Sequence, residues 1–359
     1  MSDGGDASGV KPVDPRFALD EPRLLAWMVR NVEGFEGPLT VRQFRGGQSN
    51  PTYRLSTPMA DYVLRRKPPG VLLPSAHAVD REFRVISALE LIGFPVARPY
   101  ALCTDEAVIG SMFYVMAEVK GRIFWNGALP GLEPAERRAL YMAQLRTLAE
   151  LHNTDPAAIG LDDYGRPGGY FARQIARWSR QYRASETVSI PEMDRLIDWL
   201  PGTAPADDRT AIVHGDFRID NMIFDPAKAE VRAVLDWELS TLGDPLADFS
   251  YLLVNWVAPE GAGAGDASFG HLDAAALGIP GVEEYADAYC RLTGRAGLPD
   301  LDWFFAYNLF RLAAIFQGIA GRVRDGTAAS DNAVLYGDRA ATAGRAAWDF
   351  ARRSQAGAR

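Results

Sequence analysis

Few backbones accommodate the stretch from Ile212 to Glu238. Apolar Ile212-Val213 leads into His214-Gly215-Asp216, and five residues later Asn221 opens a second apolar run, Met222-Ile223-Phe224. The polar skeleton is therefore H-G-D-x-x-x-x-N, a loop held between two buried segments. Residues 222–224 and 231–235 read as short strands, and residues 225–230 (Asp-Pro-Ala-Lys-Ala-Glu) carry the turn chemistry that joins them. Residues equidistant from an antiparallel turn face each other. Asn221 and Asp236 are symmetric about the Lys228–Ala229 bond and are expected to meet at the open end of the hairpin, with Asp216 one loop away. Hard oxygen donors of this kind suit Mg²⁺, which is usually held by one or two carboxylates together with substrate phosphates.

Composition narrows the function classes. The chain has 359 residues, enough for two domains or one bilobal unit with a sizeable core. A net charge of −8 argues against an electrostatic nucleic-acid binder, so an anionic ligand must be met by local cations or a metal. Cys103 and Cys290 are the only cysteines, which gives neither a disulfide framework nor zinc-ligand spacing and fits a reducing compartment. The first residues are acidic and polar, with no secretory pattern, and no run of 18 apolar residues occurs. The expectation is a cytoplasmic protein with no membrane or nucleic-acid partner.

Residues 1–19 are polar and rich in Gly and Pro, and read as loosely ordered. Helical periodicity follows over 22–32, then strand, tight loop and strand over 41–55. In that loop Gly46 and Gly47 would let backbone N–H groups approach an anion, with Ser49 and Asn50 adding donors; a plain hairpin turn fits the same residues. In the strand over 62–67, Val63 and Arg65 share one face, while Arg66 and Lys67 add further cations. A helix over 77–91 carries Glu82, and a strand spans 112–119. Further helices are expected over 134–153, ending near His152 as a packing or capping residue, and over 170–183. The second of these aligns Arg173, Arg177, Arg180 and Arg183 on a solvated or anion-binding face. A short helix over 193–200 precedes the H-G-D loop, and an apolar helix ending near Trp256 follows Gly243-Asp244-Pro245. Residues 259–281 read as a mobile loop able to cover a substrate, and 283–292 as helical. The long apolar helix over 301–323 carries Arg311, whose charge needs a partner: a core carboxylate, the preferred reading, or an acidic substrate.

The loop Val-His-Gly-Asp-Phe-Arg-Ile-Asp-Asn-Met-Ile-Phe and the following Leu-Asp-Trp-Glu-Leu-Ser-Thr-Leu-Gly-Asp-Pro-Leu-Ala-Asp-Phe resemble the aminoglycoside phosphotransferase family of the kinase-like superfamily. More narrowly they resemble its acyl-CoA-dehydrogenase-associated branch, over roughly residues 44–322. That resemblance implies an α+β, protein-kinase-like bilobal fold. A flexible terminus (1–19) and a nucleotide-binding N-lobe with an antiparallel sheet (20–118) precede a larger, mainly helical C-lobe (119–359). It implies ATP and Mg²⁺, with Asp216 as the catalytic base and Asn221 and Asp236 as metal ligands. The glycine loop would hold phosphates, with Arg65 standing where the pattern has lysine and paired with Glu82; Arg66 and Lys67 remain rivals for that contact. Val63 and Met116 would line the adenine, the backbone of Ala117 and Val119 would meet its edge, and His214 and Asp248 would be structural. The implied activity is γ-phosphoryl transfer to a hydroxyl of a small molecule, with a hydroxyacyl compound as one candidate. An antibiotic kinase and a non-catalytic nucleotide-binding pseudokinase are the alternatives. Oligomeric state is not set by the sequence.

Overall fold

Alternating burial builds an antiparallel sheet in the first third of the chain. The computed structural model describes residues 9–45, 50–68, 78–206, 209–263, 268–324 and 333–357. In chain order the elements are β1 (Val10–Lys11), α1 (Glu21–Asn31), β2 (Thr40–Phe44), β3 (Thr52–Ser56), β4 (Asp61–Arg66), α2 (Val79–Glu90), β5 (Pro99–Cys103) and β6 (Phe113–Ala117). There follow α3 (Pro134–Asn153), α4 (Tyr170–Ser185), α5 (Pro191–Thr203), β7 (Ala211–Val213), β8 (Met222–Phe224), β9 (Val231–Val234) and β10 (Thr241–Gly243). Four helices complete the chain: α6 (Leu246–Val257), α7 (Val282–Thr293), α8 (Leu301–Arg324) and α9 (Ala333–Gly357).

Contacts divide the chain into two units, one of residues 1–123 and 223–240, the other of 124–222 and 241–359. In the first, six antiparallel strands run in the order β1-β2-β3-β4-β6-β5. The strand period places Tyr62 and Leu64 on the face that packs against Leu24, Trp27 and Met28 of α1, with Val63 and Arg65 on the other. Val63 lies opposite Met116, and Arg65 opposite Tyr114.

Two sequence expectations change here. The terminus is built in from residue 9: β1 pairs with β2, Val13, Phe17 and Leu19 pack on the core, and Tyr53 Oη donates to the Phe17 carbonyl at 2.7 Å. Those spaced apolar side chains outweigh the local Gly/Pro content; residues 1–8 lie outside the described residues. The hairpin after residue 222 groups with the first unit, although sequence order puts it in a C-lobe starting at 119. The reason is hydrogen bonding: Arg122 and Phe224 exchange backbone N–H···O bonds of 2.8 Å, and Val234 N–H donates to Pro95 O at 2.8 Å. Gly121 is required for that approach, since a Cβ there would lie 2.2 Å from Phe224 O.

The second unit is mainly helical. Helix α6 is buried from Leu246 to Trp256, and α8 is buried along most of its length. Strands β7 and β10 pair antiparallel, with Ile212 opposite Leu242. Residues 259–281 are not a detached cover where they are described: Phe269 and Ile279 are buried, and Trp256 Nε1 donates to Pro280 O at 2.7 Å. Among the described residues, no helix is long and apolar enough to cross a membrane.

Candidate active site

Arg65 is the focus of the first unit. Its Nε lies 2.8 Å from Glu82 Oε2, and its Nη2 lies 2.7 Å from Asp236 Oδ1 and 3.4 Å from Glu238 Oε2. Glu82, on α2, is only 1% exposed and also accepts from Asn50 Nδ2 (2.9 Å) and Tyr114 Oη (3.1 Å). Burial pushes its carboxyl above the usual range, against the pull of the Arg65 charge. Arg66 is turned away: its Nε donates to Ser111 Oγ at 3.0 Å, so the sheet uses it. Of the three basic neighbours, Arg65 therefore meets the acids.

One guanidinium here faces three carboxylates. Hard oxygen donors gathered in this way could hold a divalent cation carrying phosphates. Among the described residues no three His, Cys, Asp or Glu side chains are placed to hold an ion. Asp236 has left-handed backbone (φ 66°, ψ 60°), unusual for a non-glycine residue and a form of local strain found at functional positions. The symmetry argument for the hairpin does not hold. Asp225 N–H donates to Glu230 O at 2.8 Å, so the turn is centred one residue earlier than the Lys228–Ala229 bond, and β9 ends at Val234, before Asp236.

Other expected contacts fare differently. Gly46, Gly47 and Ser49 lie outside the described residues. Asn50 is fully buried and braces Glu82, with a second, 3.4 Å contact to Glu238. Ala117 N–H is taken by Arg98 O at 2.8 Å, so it is not open to a base edge; Val119 has no such bond among the described residues. Val63 and Met116 are cross-strand neighbours.

In the second unit the H-G-D loop is fixed from both sides. Gly215 has φ 87°, a conformation that L side chains rarely adopt. Asp248, on α6 and buried, accepts from the N–H groups of His214 (2.5 Å) and Gly215 (2.8 Å). His214 is buried, and its Nδ1 accepts the Asp216 N–H at 3.2 Å. Both are structural, as expected. His152 is buried and joins the same network, with Nδ1 2.7 Å from Tyr289 Oη and Nε2 3.6 Å from Asp248 Oδ2.

Asp216 is held by donors on all sides. Tyr251 Oη donates to Oδ1 (2.8 Å), Arg218 Nε lies 3.0 Å from the same oxygen, and Asn221 Nδ2 donates to Oδ2 (3.0 Å) and to the backbone carbonyl (2.9 Å). Burial alone would raise its pKa, but the Arg218 charge, the Tyr251 hydroxyl and the Arg311 charge outweigh it and keep the carboxyl below its ordinary range. With its amide nitrogen committed, Asn221 leaves Oδ1 as the side-chain atom that could meet a cation. Tyr251 and Arg218 were not assigned roles from sequence; Tyr251 lies three residues past Asp248 on α6, a spacing that puts both on one helical face.

Comparison with known proteins places this architecture. The model of the phosphotransferase enzyme family matches residues 40–304. Acyl-CoA dehydrogenase family member 10 of Mus musculus is 47% identical over 315 residues, 88% of this chain and 29% of that protein. The chain thus spans under a third of that relative. A crystal structure described as a putative aminoglycoside phosphotransferase from Ralstonia eutropha is 49% identical, with a TM-score of 0.84 over 94% of this chain and 99% of that one. Spectinomycin phosphotransferase in complex with ADP and spectinomycin shares the fold alone, at 12% identity and a TM-score of 0.61, over 95% of this chain and 100% of that one. The expected α+β, kinase-like architecture is the one observed.

Proposed function

We propose that this chain, which belongs to the phosphotransferase enzyme family, moves the γ-phosphoryl group of ATP to a hydroxyl of a small molecule. The observation that carries the reading is Asp216: a partly buried carboxylate kept ionised by Arg218 and Tyr251, on a loop clamped by Asp248. Such transfer depends mainly on positioning and charge neutralisation, with little covalent work by the protein. Asp216 orients the acceptor hydroxyl and takes its proton as the oxygen bonds to phosphorus and the bond to the departing diphosphate breaks. Asn221 Oδ1 and Asp236 would hold Mg²⁺. When bound, that ion neutralises phosphate charge. Arg65, kept in place by Glu82, steadies the non-transferred phosphates, and Val63, Met116 and the backbone of Val119 receive the base. The nucleotide assignment is supported by the ADP bound to spectinomycin phosphotransferase, and a hydroxyacyl acceptor by the acyl-CoA-dehydrogenase name of the mouse relative.

The test is kinetic. A metabolite pool incubated with labelled ATP, its products read by mass spectrometry, names the acceptor. Asp216→Asn should then lower turnover by about 10³-fold while ATP binding stays measurable. Full activity in that variant would end the assignment, and ATP binding without turnover in the unaltered protein would favour a pseudokinase.

A further inference from the structure

Three acids of the second unit that could meet a cationic acceptor are already engaged. Asp248 accepts the two loop N–H groups, Asp244 accepts from Leu246 N–H at 2.8 Å, and Asp220 lies 3.2 Å from Arg218 Nη2. Cations, by contrast, are in surplus. Arg311 is 6% exposed, and its one hydrogen bond runs from Nη2 to Gly215 O at 2.5 Å; among the described residues no carboxylate pairs with it. The core carboxylate expected from sequence is Asp216, which Arg311 reaches electrostatically but not as an ion pair. The guanidinium rests on the faces of Tyr251 (4.9 Å) and Trp178 (5.6 Å). Arg177, exposed on α4, lies 5.1 Å from the centre of the same Trp178 ring and has no hydrogen bond or ion pair among the described residues. Both arginines act electrostatically on Tyr307.

Two donors in this group are buried without an acceptor: Trp178 Nε1, on a residue 6% exposed, and Arg311 Nε. Buried unsatisfied donors beside two unpaired cations are costly unless an anion joins them. We infer that the phosphoryl acceptor is a hydroxyl compound that also carries an anionic group, carboxylate or phosphate, seated against Arg177, Trp178 and Arg311. The inference rests on the phosphotransferase reading above. Arg311 already holds the carbonyl of Gly215, next to Asp216, so an anion seated on it is tied to the loop that receives the acceptor hydroxyl. A polycationic antibiotic would meet the wrong sign here.

The experiment uses the full chain with 3-hydroxybutyrate and glycerol 3-phosphate as charged probes, and methyl 3-hydroxybutyrate and glycerol as their neutral counterparts. Binding is read by tryptophan fluorescence, with Trp178→Phe as the baseline, and transfer by labelled ATP. A saturable Trp178-dependent change is expected with a charged probe and not with its neutral counterpart; which charged probe responds separates carboxylate from phosphate. Arg177→Ala should weaken it about tenfold, and Arg177→Lys should restore most of the loss. In transfer, Arg177→Ala should raise KM for the charged acceptor more than it lowers kcat. No saturable change up to about 10 mM, equal response to charged and neutral probes, or indifference to Arg177→Ala would overturn the anion site. Transfer to neutral and charged acceptors alike would remove the anion site and leave the kinase. Saturable anion binding with no transfer to any acceptor would remove the kinase reading, and with it the acceptor role.

Discussion

Replacing Asp248 by Asn tests how much the loop depends on one buried carboxylate. Two charge-assisted bonds end on it, from His214 N–H and Gly215 N–H. Bonds of that kind contribute about 1.5–3 kcal/mol each, and a buried donor left unpaired costs about as much again. Asparagine keeps one accepting oxygen and turns an NH₂ group toward the other N–H, so one bond is lost and one donor is orphaned. The sum is about 3 kcal/mol, a large part of a stability of about 5–15 kcal/mol. With a urea m-value of about 3 kcal/mol/M, the unfolding midpoint should fall by about 1 M.

The assay is equilibrium urea unfolding followed by far- and near-ultraviolet circular dichroism. Asp248, His214 and Gly215 all belong to the second unit, so if two transitions are resolved the drop should be confined to one of them. Turnover should fall with it, because the same bonds set the position of Asp216. A midpoint within about 0.2 M of the unaltered protein would refute the reasoning.

Burial depresses the His152 pKa below its ordinary 6.5, so the unfolded chain binds more protons and stability falls as pH drops below about 6.5; His152→Gln should flatten that dependence between pH 7 and 5.5, and an unchanged slope in urea titrations would exclude it. Glu82→Ala strips the buried partner from Arg65 and should weaken ATP binding or turnover by about tenfold or more, which calorimetry and initial rates would detect. Tyr251→Phe removes one donor to Asp216 and should lower kcat by about tenfold with nucleotide affinity retained. Gly121→Ala drives a methyl into the Phe224 carbonyl, and should lower the thermal midpoint with a loss of about 2 kcal/mol.

Much of this could be read from one sequence because its signals are local. The strand alternation that separates Tyr62 and Leu64 from Val63 and Arg65 is a period of two, and it appears as expected on β4. The Arg65–Glu82 pair followed from resemblance, and its 2.8 Å contact is present. What failed depended on contacts distant in sequence. The hairpin register was placed by symmetry, yet Asp236 leaves the ladder in a left-handed turn that no period announces. Residues 9–19 looked loose because their composition is that of a linker, while their order comes from pairing with β2 and packing of Phe17. Arg311 was expected to find a core acid, since a buried charge demands a partner, but nothing in a single helix says whether that partner is a carboxylate, a carbonyl or an aromatic face.

Charge accounting in the two units leads to one chemistry by separate routes. In the first, Glu82, Asp236 and Glu238 all lie against the guanidinium of Arg65, hard oxygen donors of a kind that suits a divalent cation. In the second, Asp216 and Asp220 answer Arg218, which leaves Arg311 and Arg177 flanking Trp178 without an ion pair among the described residues, and an anion would relieve them. On the proposed reading, a metal-bound nucleotide would answer the first set and an anionic acceptor the second. If so, each ligand should stabilise its own unit: Mg-ATP should raise the unfolding midpoint of the sheet-containing unit, and a charged acceptor that of the helical one. Domain-resolved hydrogen exchange separates the two, and protection by the acceptor confined to the sheet-containing unit would show that the positive set in the helical unit is structural.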